Sequence, residues 1–298
     1  MYAIIRQLMI IGIDLGGTKI AAAAADERGK IITDINIPTE AYKGQGHVIG
    51  VIKKAAYNLI KGQKSKIKAI GIGVPGPILY EQGIVISPPN LPGWKRVNLK
   101  KILEKEFHIP IFLDNDANCA ALGEAHFGAG KNVRHFIYIT VSTGIGGGII
   151  IDRKLYRGAD GAAGEFGHMI IDSKGFTCGC GNVGCFEAMA SGTAIKKRAG
   201  MDAIAVELAA RQGDEKARAV IAETAHYLSI GIANLVNIFN PELVIVGGGV
   251  SKMRELLFTP VRQEFKKYAH ALPAKSVKIV RAKLGGNSGV LGAAALCL

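Results

Sequence analysis

Between residues 165 and 187 the chain reads Glu165-Phe166-Gly167-His168, then Cys178-Gly179-Cys180-Gly181-Asn182-Val183-Gly184-Cys185-Phe186-Glu187. Three thiols and an imidazole supply the closed tetrahedral donor set that suits structural zinc. The spacing, His-x9-Cys-x-Cys-x4-Cys, is not that of a zinc finger. Three of the five cysteines fall within eight residues of a glycine-rich loop, a clustering that predicts a shared metal rather than unrelated thiols or a disulfide. Gly179, Gly181 and Gly184 let the backbone turn tightly enough for the thiols to converge. A carboxylate stands at each end of the segment, Glu165 and Glu187.

Two further segments carry phosphate chemistry. Asp14-Leu15-Gly16-Gly17-Thr18-Lys19 and Ser142-Thr143-Gly144-Ile145-Gly146-Gly147-Gly148 each lie between apolar runs and read as strand, glycine turn, returning strand. A unit that occurs twice suggests two similar half-molecules. Backbone N–H groups in such turns form anion-binding nests, and Thr18 and Thr143 add hydroxyl donors. A carboxylate beside phosphates is repulsive unless a cation lies between, so Asp14 implies Mg²⁺ held through water. Lys19 reaches a phosphate or faces solvent. Gly144-x-Gly146 resembles a dinucleotide fingerprint, but a strand follows it instead of a helix, so the Rossmann reading fails on context. Gly247-Gly248-Gly249 sits at a strand-to-helix turn, where a nucleoside can lie against bare backbone. Asp114-Asn115-Asp116 ends a strand and precedes a helix. A carboxylate there could accept the proton of a hydroxyl undergoing phosphoryl transfer and orient its oxygen; helix capping is the alternative for some of the three.

The elements that must hold these motifs follow an α/β pattern. Helical spacing covers 46–62, 97–107, 118–127, 193–199, 202–212 and 214–239, with Ser251 placed to cap a helix running to about Tyr268. Strands are expected over 67–74, 110–113, 242–247 and 277–281, and a short apolar helix over 288–298.

Composition narrows the class. A chain of 298 residues, 49% hydrophobic and 20% charged, can bury a substantial core and suits two domains better than one. Cys119 and Cys297 are far apart, so no disulfide framework is expected and a reducing cytoplasm is the natural home. The apolar start runs into a strand pattern without a small-residue cleavage site, which argues against a signal peptide. Met9 looks like a natural start, with residues 1–8 as an upstream extension. No apolar run is expected to cross a bilayer; the nearest, 228–250, is broken by Asn234, Asn237, Asn240, Pro241 and Glu242. The net charge of +13 is spread through pairs such as Lys53-Lys54 and Lys266-Lys267, with aromatics only 6% of the chain. That reads as solvated helix faces rather than a nucleic-acid surface.

On these motifs the chain resembles the ROK family of sugar kinases, whose fold is shared with actin and hexokinase. Asp14 to Lys19 matches the family's first phosphate motif, residues 140–148 the second, and Val246-Gly247-Gly248-Gly249 the adenosine motif. Glu165 to His168 matches its Glu-x-Gly-His, and Cys178 to Cys185 its cysteine motif. The resemblance covers nearly the whole chain. It implies an α/β fold of two ribonuclease-H-like lobes with a cleft between them and a structural zinc loop. Residues 1–116, completed by the helix 288–298, would form the small lobe, and 117–287 the large lobe. The lobes would close on the substrate and exclude water.

The resemblance also implies roles. Asp116 would be the general base on a sugar hydroxyl, usually the 6-OH, with Asn115 bonding neighbouring hydroxyls. Glu165, His168 and Glu187 would bind the ring hydroxyls, with Gly76 and Asn90 closing the pocket. ATP and Mg²⁺ would be held by Asp14, Gly16, Gly17, Thr18, Lys19, Thr143, Gly144, Gly247, Gly248 and Gly249. Zn²⁺ would sit on His168, Cys178, Cys180 and Cys185, with no open position for Lewis-acid chemistry, and would pin the loop that carries the sugar readers. Trp94 stacks on a sugar face or packs within its loop. The family includes sugar-responsive repressors with a helix-turn-helix before the first phosphate motif; only thirteen residues precede Asp14, and with Asp116 intact the enzyme reading is expected. Asn90-Leu91-Pro92-Gly93-Trp94 and Glu-x-Gly-His resemble glucokinases most, which makes glucose the first choice, with N-acetylmannosamine, N-acetylglucosamine and fructose as alternatives. A cytoplasmic homodimer or dimer of dimers, without nucleic-acid or membrane partners, completes the expectation.

Overall fold

A computed structural model of the chain describes residues 8–61 and 66–298. The upstream extension expected over residues 1–8 lies, apart from Leu8, outside the described residues. The described residues divide into two compact units, one of those up to 131 with 157–163 and 286–298, the other of residues 132–156 and 164–285.

The first unit opens with β1 (Met9–Leu15), β2 (Lys19–Asp26) and β3 (Ile31–Pro38), followed by α1 (Gln45–Lys61) and β4 (Ile67–Val74). A small antiparallel sheet of β5 (Ile78–Leu79), β6 (Ile84–Val85) and β7 (Val97–Asn98) comes next. The unit continues with α2 (Leu99–Phe107), β8 (Ile111–Asn115) and α3 (Asp116–Phe127). The main sheet runs β3-β2-β1-β4-β8, antiparallel across β3-β2-β1 and parallel across β1-β4-β8. β1 and β4 are buried on both faces, as central strands covered by helices must be, whereas β3 alternates between half-buried and exposed positions, as an edge strand does. α1 buries Val48, Ile49, Ile52, Ala55, Ala56 and Leu59, a stripe of threes and fours that lies against β1, β2 and β3.

The C-terminal helix, Ser288–Ala295, packs on β1, β4 and α3. Its backbone approaches so closely that a Cβ on Gly71 would lie 1.8 Å from the Ala293 carbonyl oxygen. Glu124 of α3 is fully buried and accepts the Ser288 hydroxyl at 3.1 Å and the Ala129 N–H at 2.7 Å. Through this packing α3 belongs to the first unit. The chain therefore leaves that unit after residue 131, not at the boundary expected at 116, and residues 157–163 return to it.

The second unit repeats the plan. Its strands are β9 (Phe136–Val141), β10 (Ile145–Ile151), β11 (Lys154–Tyr156), β12 (Leu243–Gly247) and β13 (Lys278–Arg281), in the order β11-β10-β9-β12-β13. The same antiparallel and parallel relations recur strand for strand. The internal repeat read from the two glycine turns is thus a repeat of sheet topology. Between β11 and β12 run α4 (Phe186–Ala190), α5 (Gly192–Ala199), α6 (Ala203–Arg211) and α7 (Glu215–Phe239). Ser191, Asp202 and Asp214 cap α5, α6 and α7. By length and apolarity alone α7 could cross a membrane, but it is a core helix that buries Ile221, Leu228, Ile232, Leu235 and Val236 among its neighbours.

The helix expected from Ser251 to Tyr268 is broken. A 3₁₀ turn (Val250–Met253) leads through Arg254, at φ 51°, into α8 (Glu255–Glu264), and a second 3₁₀ turn and α9 (Ala271–Ser276) follow. Ser251 does not cap α8; its hydroxyl donates to the Gly248 carbonyl at 2.7 Å and closes the glycine turn.

Candidate active site

In the first unit the register puts the chemistry at the carboxyl ends of the parallel strands. Asp14 pairs across β1–β4 with Gly73, and Gly73 across β4–β8 with Asp114. That end of an open α/β sheet is where ligands usually bind. Asp14 is half-buried, and its carboxylate lies where a Cβ on Gly289 would come within 2.4 Å of Oδ2. Burial raises its carboxyl above the ordinary value, and Lys19 draws it partly back. A carboxylate so placed gains from a cation beside it, which fits Mg²⁺.

The turn after Asp14 is tight, with the Gly16 N–H donating to the Lys19 carbonyl at 3.0 Å. Thr39 pins it from β3's end. Its hydroxyl donates to Gly16 O at 2.6 Å and its N–H to Thr18 O at 2.9 Å. Thr39 is fully buried, and no local pattern in the sequence marks it. Thr18 and Lys19 are exposed. Gly17 lies beside Asn90: a Cβ there would be 2.9 Å from the Asn90 Cβ.

Asp114, Asn115 and Asp116 divide three tasks. Asp114 is 1% exposed; its Oδ1 accepts the Asn115 N–H at 2.7 Å and the Asn118 side-chain amide at 2.9 Å, and its Oδ2 accepts Arg157 Nε at 2.7 Å. Asn115 caps α3, accepting the N–H groups of Ala117 at 2.9 Å and Asn118 at 3.4 Å. Asp116 is exposed in the first turn of α3, where its Oδ1 accepts the Ala117 N–H at 2.8 Å. Gly76 lies beside this corner, within 3.2 Å of Asn115 Nδ2 when a Cβ is placed on it. Trp94 is only 2% exposed within the core that also holds Leu91 and Val97, so of its two readings it takes the packing one.

In the second unit the sulfur and nitrogen donors of His168, Cys178, Cys180 and Cys185 all lie within 4.8 Å of one another. Cys180 Sγ and Cys185 Sγ are 3.6 Å apart, and Cys178 Sγ is 3.7 Å from His168 Nδ1. Ligands about 2.3 Å from a tetrahedral ion stand about 3.8 Å apart, so the donor set fits zinc. The Asn182 N–H lowers the Cys180 thiol to about 7, while burial pushes Cys185 up to about 12. A cation at the centre favours the thiolate of all three. The loop itself is shaped by short bridges, Thr177 to Val183 and Ile170 to Cys185.

The Ser142–Gly144 turn adjoins both the α4 residue Glu187, which follows the cysteine loop, and the Gly247–Gly249 turn. Glu187, in the first turn of α4 just after Cys185, accepts the Ile145 N–H at 2.8 Å through Oε2, while its Oε1 is 4.0 Å from Cys178 Sγ. Gly167 packs on the same spot, its Cβ position 3.4 Å from the Glu187 Cβ. Glu165 and His168 are exposed on either side of it. Gly248, at φ 82°, sits where a Cβ would meet the Val141 carbonyl at 2.3 Å, and Gly249 is 3.9 Å from Ser142 Oγ by the same measure. Thus Thr143, Gly144, Gly247, Gly248 and Gly249 gather at one end of the second sheet with Glu187, and Glu165 and His168 belong to the same unit. Asp14, Gly16, Gly17, Thr18, Lys19, Gly76, Asn90, Asn115 and Asp116 belong to the first unit.

The fold and these constellations define a class of α/β protein with duplicated glycine-turn sheets. The chain belongs to the ROK family, matched over residues 10–298. It is 37% identical to a glucokinase of Thermotoga maritima, over 97% of each chain. It is 38% identical to a xylose repressor of Caldicellulosiruptor bescii, over 97% of this chain and 78% of the repressor. Among solved structures, a ROK family glucokinase from Streptomyces griseus in complex with glucose and AMPPNP superposes with a TM-score of 0.85 at 37% identity, covering 97% of this chain and 98% of that one.

Proposed function

We propose that this chain is an ATP-dependent hexose kinase that transfers the γ-phosphoryl group to the 6-hydroxyl of glucose. The observation that carries the reading is the division of labour at 114–116: with Asp114 buried against Arg157 and Asn115 capping α3, Asp116 is the carboxylate of this corner that faces solvent. A carboxylate so presented can accept the hydroxyl proton as the oxygen attacks phosphorus. The similarity to glucokinases along the whole chain supports glucose over the amino sugars and fructose.

In this reading Gly16, Gly17, Thr18, Lys19, Thr143 and Gly144 bind phosphate oxygens. Gly247, Gly248 and Gly249 leave backbone bare against the nucleoside. Mg²⁺, when bound beside Asp14, neutralises phosphate charge. Glu165, His168 and Glu187 pair with ring hydroxyls, and Asn90, Asn115 and Gly76 complete the sugar contacts. Carboxylates and an imidazole that pair with hydroxyls penalise a sugar that lacks a hydroxyl where they expect one. His168, Cys178, Cys180 and Cys185 would hold Zn²⁺ and so pin the loop, with one ring nitrogen of His168 left to pair with a sugar hydroxyl. The likeness to xylose repressors supports a second reading, sugar binding without turnover.

A coupled assay of ADP release over glucose, mannose, fructose and the N-acetyl amino sugars tests the proposal. Turnover with glucose at the highest kcat/KM is expected. Binding of a sugar without ADP release from any of them would assign the chain to the non-catalytic reading.

A further inference from the structure

The Ser142–Gly144 turn is held by α4 and α5 within the second unit. The Gly192 N–H donates to Ser142 O at 2.7 Å. Thr193 donates twice to Thr143 O, from its N–H at 3.2 Å and its hydroxyl at 2.8 Å. Glu187 Oε2 takes the Ile145 N–H. The surfaces are shaped for these contacts: a Cβ on Gly192 would lie 2.7 Å from Ser142 O, and one on Gly144 2.2 Å from Glu187 Oε2.

These bonds fix peptide planes. A trans peptide points its C=O and the following N–H in opposite directions. Anchoring the Ser142 and Thr143 carbonyls on α5 therefore turns the N–H groups of Thr143 and Gly144 away from α5, as a pair. A turn free to rotate would present carbonyl oxygens to an anion for part of the time, and preorganised donors avoid that cost. Meanwhile the Ile145 N–H is already engaged by Glu187, which commits one of that residue's two carboxylate oxygens.

We infer that the α4–α5 corner, through Thr193 and Glu187, is the positioning element of the triphosphate turn, and that Glu187 ties this turn to the cysteine loop, its Oε2 taking the Ile145 N–H and its Oε1 lying 4.0 Å from Cys178 Sγ. The inference rests on the reading of residues 142–144 as a nucleotide-phosphate turn. Thr193 acts through the Thr143 carbonyl and is a positioning residue. It is exposed at its side chain, so its replacement leaves the core untouched.

The test measures binding of a nonhydrolysable ATP analogue with Mg²⁺ by calorimetry, beside the KM for glucose. Thr193→Val removes one donor and should weaken analogue binding about three- to tenfold, the range of one hydrogen bond, with glucose KM unchanged. Thr193→Ser should restore it. Glu187→Gln keeps an acceptor for the Ile145 N–H and should bind the analogue within about twofold of wild type, whereas Glu187→Ala should lose affinity for analogue and glucose together. Equal melting temperatures for the Thr193 variants separate positioning from folding. If Thr193→Val binds the analogue as wild type does, or weakens glucose equally, the inference is overturned while the kinase reading stands. If the wild-type protein binds no analogue, the phosphate-turn reading falls and takes the inference with it.

Discussion

Arg157 donates from Nε to the carboxylate of Asp114 across 2.7 Å, and that carboxylate is all but sealed from solvent. Arg157 also lies over the ring of Tyr80, 4.9 Å from its centroid. The pair joins the segment 157–163 to the strand end that bears Asn115 and Asp116, within the first unit. A buried carboxylate that loses its cation is costly, and Arg157 is the one ion-pair partner of Asp114 among the described residues. Arg157→Ala is expected to destabilise the protein by about 3 kcal/mol in urea unfolding, near the lower end for a broken buried pair because the arginine is partly exposed. Arg157→Lys should recover only part of this, since Lys lacks the planar group that bonds Asp114 and stacks on Tyr80. An unfolding midpoint equal to wild type for Arg157→Ala would mean that Asp114 finds another partner.

Asp116→Asn keeps size and hydrogen bonding but removes the acceptor of the hydroxyl proton. The expected outcome is a loss of at least about 100-fold in kcat with glucose binding within about threefold of wild type, measured by ADP release and by calorimetry. Retention of more than about a tenth of the wild-type rate would exclude Asp116 as the base.

Metal analysis should find about one zinc ion per chain, and Cys180→Ala should abolish it. Because Glu187 lies in the first turn of α4, two residues after Cys185, and packs beside Cys178, the zinc-free variant is expected to raise the glucose KM by about tenfold or more while keeping its far-UV circular dichroism. A folded, zinc-free variant with unchanged glucose affinity would sever the metal from the sugar readers.

Gly71→Ala places a methyl group where the Ala293 carbonyl already sits, 1.8 Å away. Either β4 or the C-terminal helix must shift, and overpacking of this kind costs about 1–3 kcal/mol. The unfolding midpoint should fall accordingly, whereas Gly46→Ala, where no atom lies within 4 Å, should stabilise α1 slightly through helix propensity.

The sequence alone determined most of the local structure, because hydrophobic period and glycine turns are local signals. β4 is found where it was expected, at 67–74, and α1, α5 and α7 begin within one residue of their expected starts. The repeated strand, glycine turn, strand unit announced a duplicated sheet, and the cysteine spacing announced four donors that lie together. What only the tertiary structure decided are the assignments among chemically similar residues. Nothing local says that Asp114 is buried, that Asn115 caps and that Asp116 is exposed. That order depends on Arg157, which lies more than forty residues downstream. Nor does any pattern place Thr39 under the first turn, Thr193 behind the second, or α3 against the C-terminal helix, which moved the boundary between units. Each of these is a contact between distant segments, fixed by register and close packing, which neighbouring residues in the sequence do not encode.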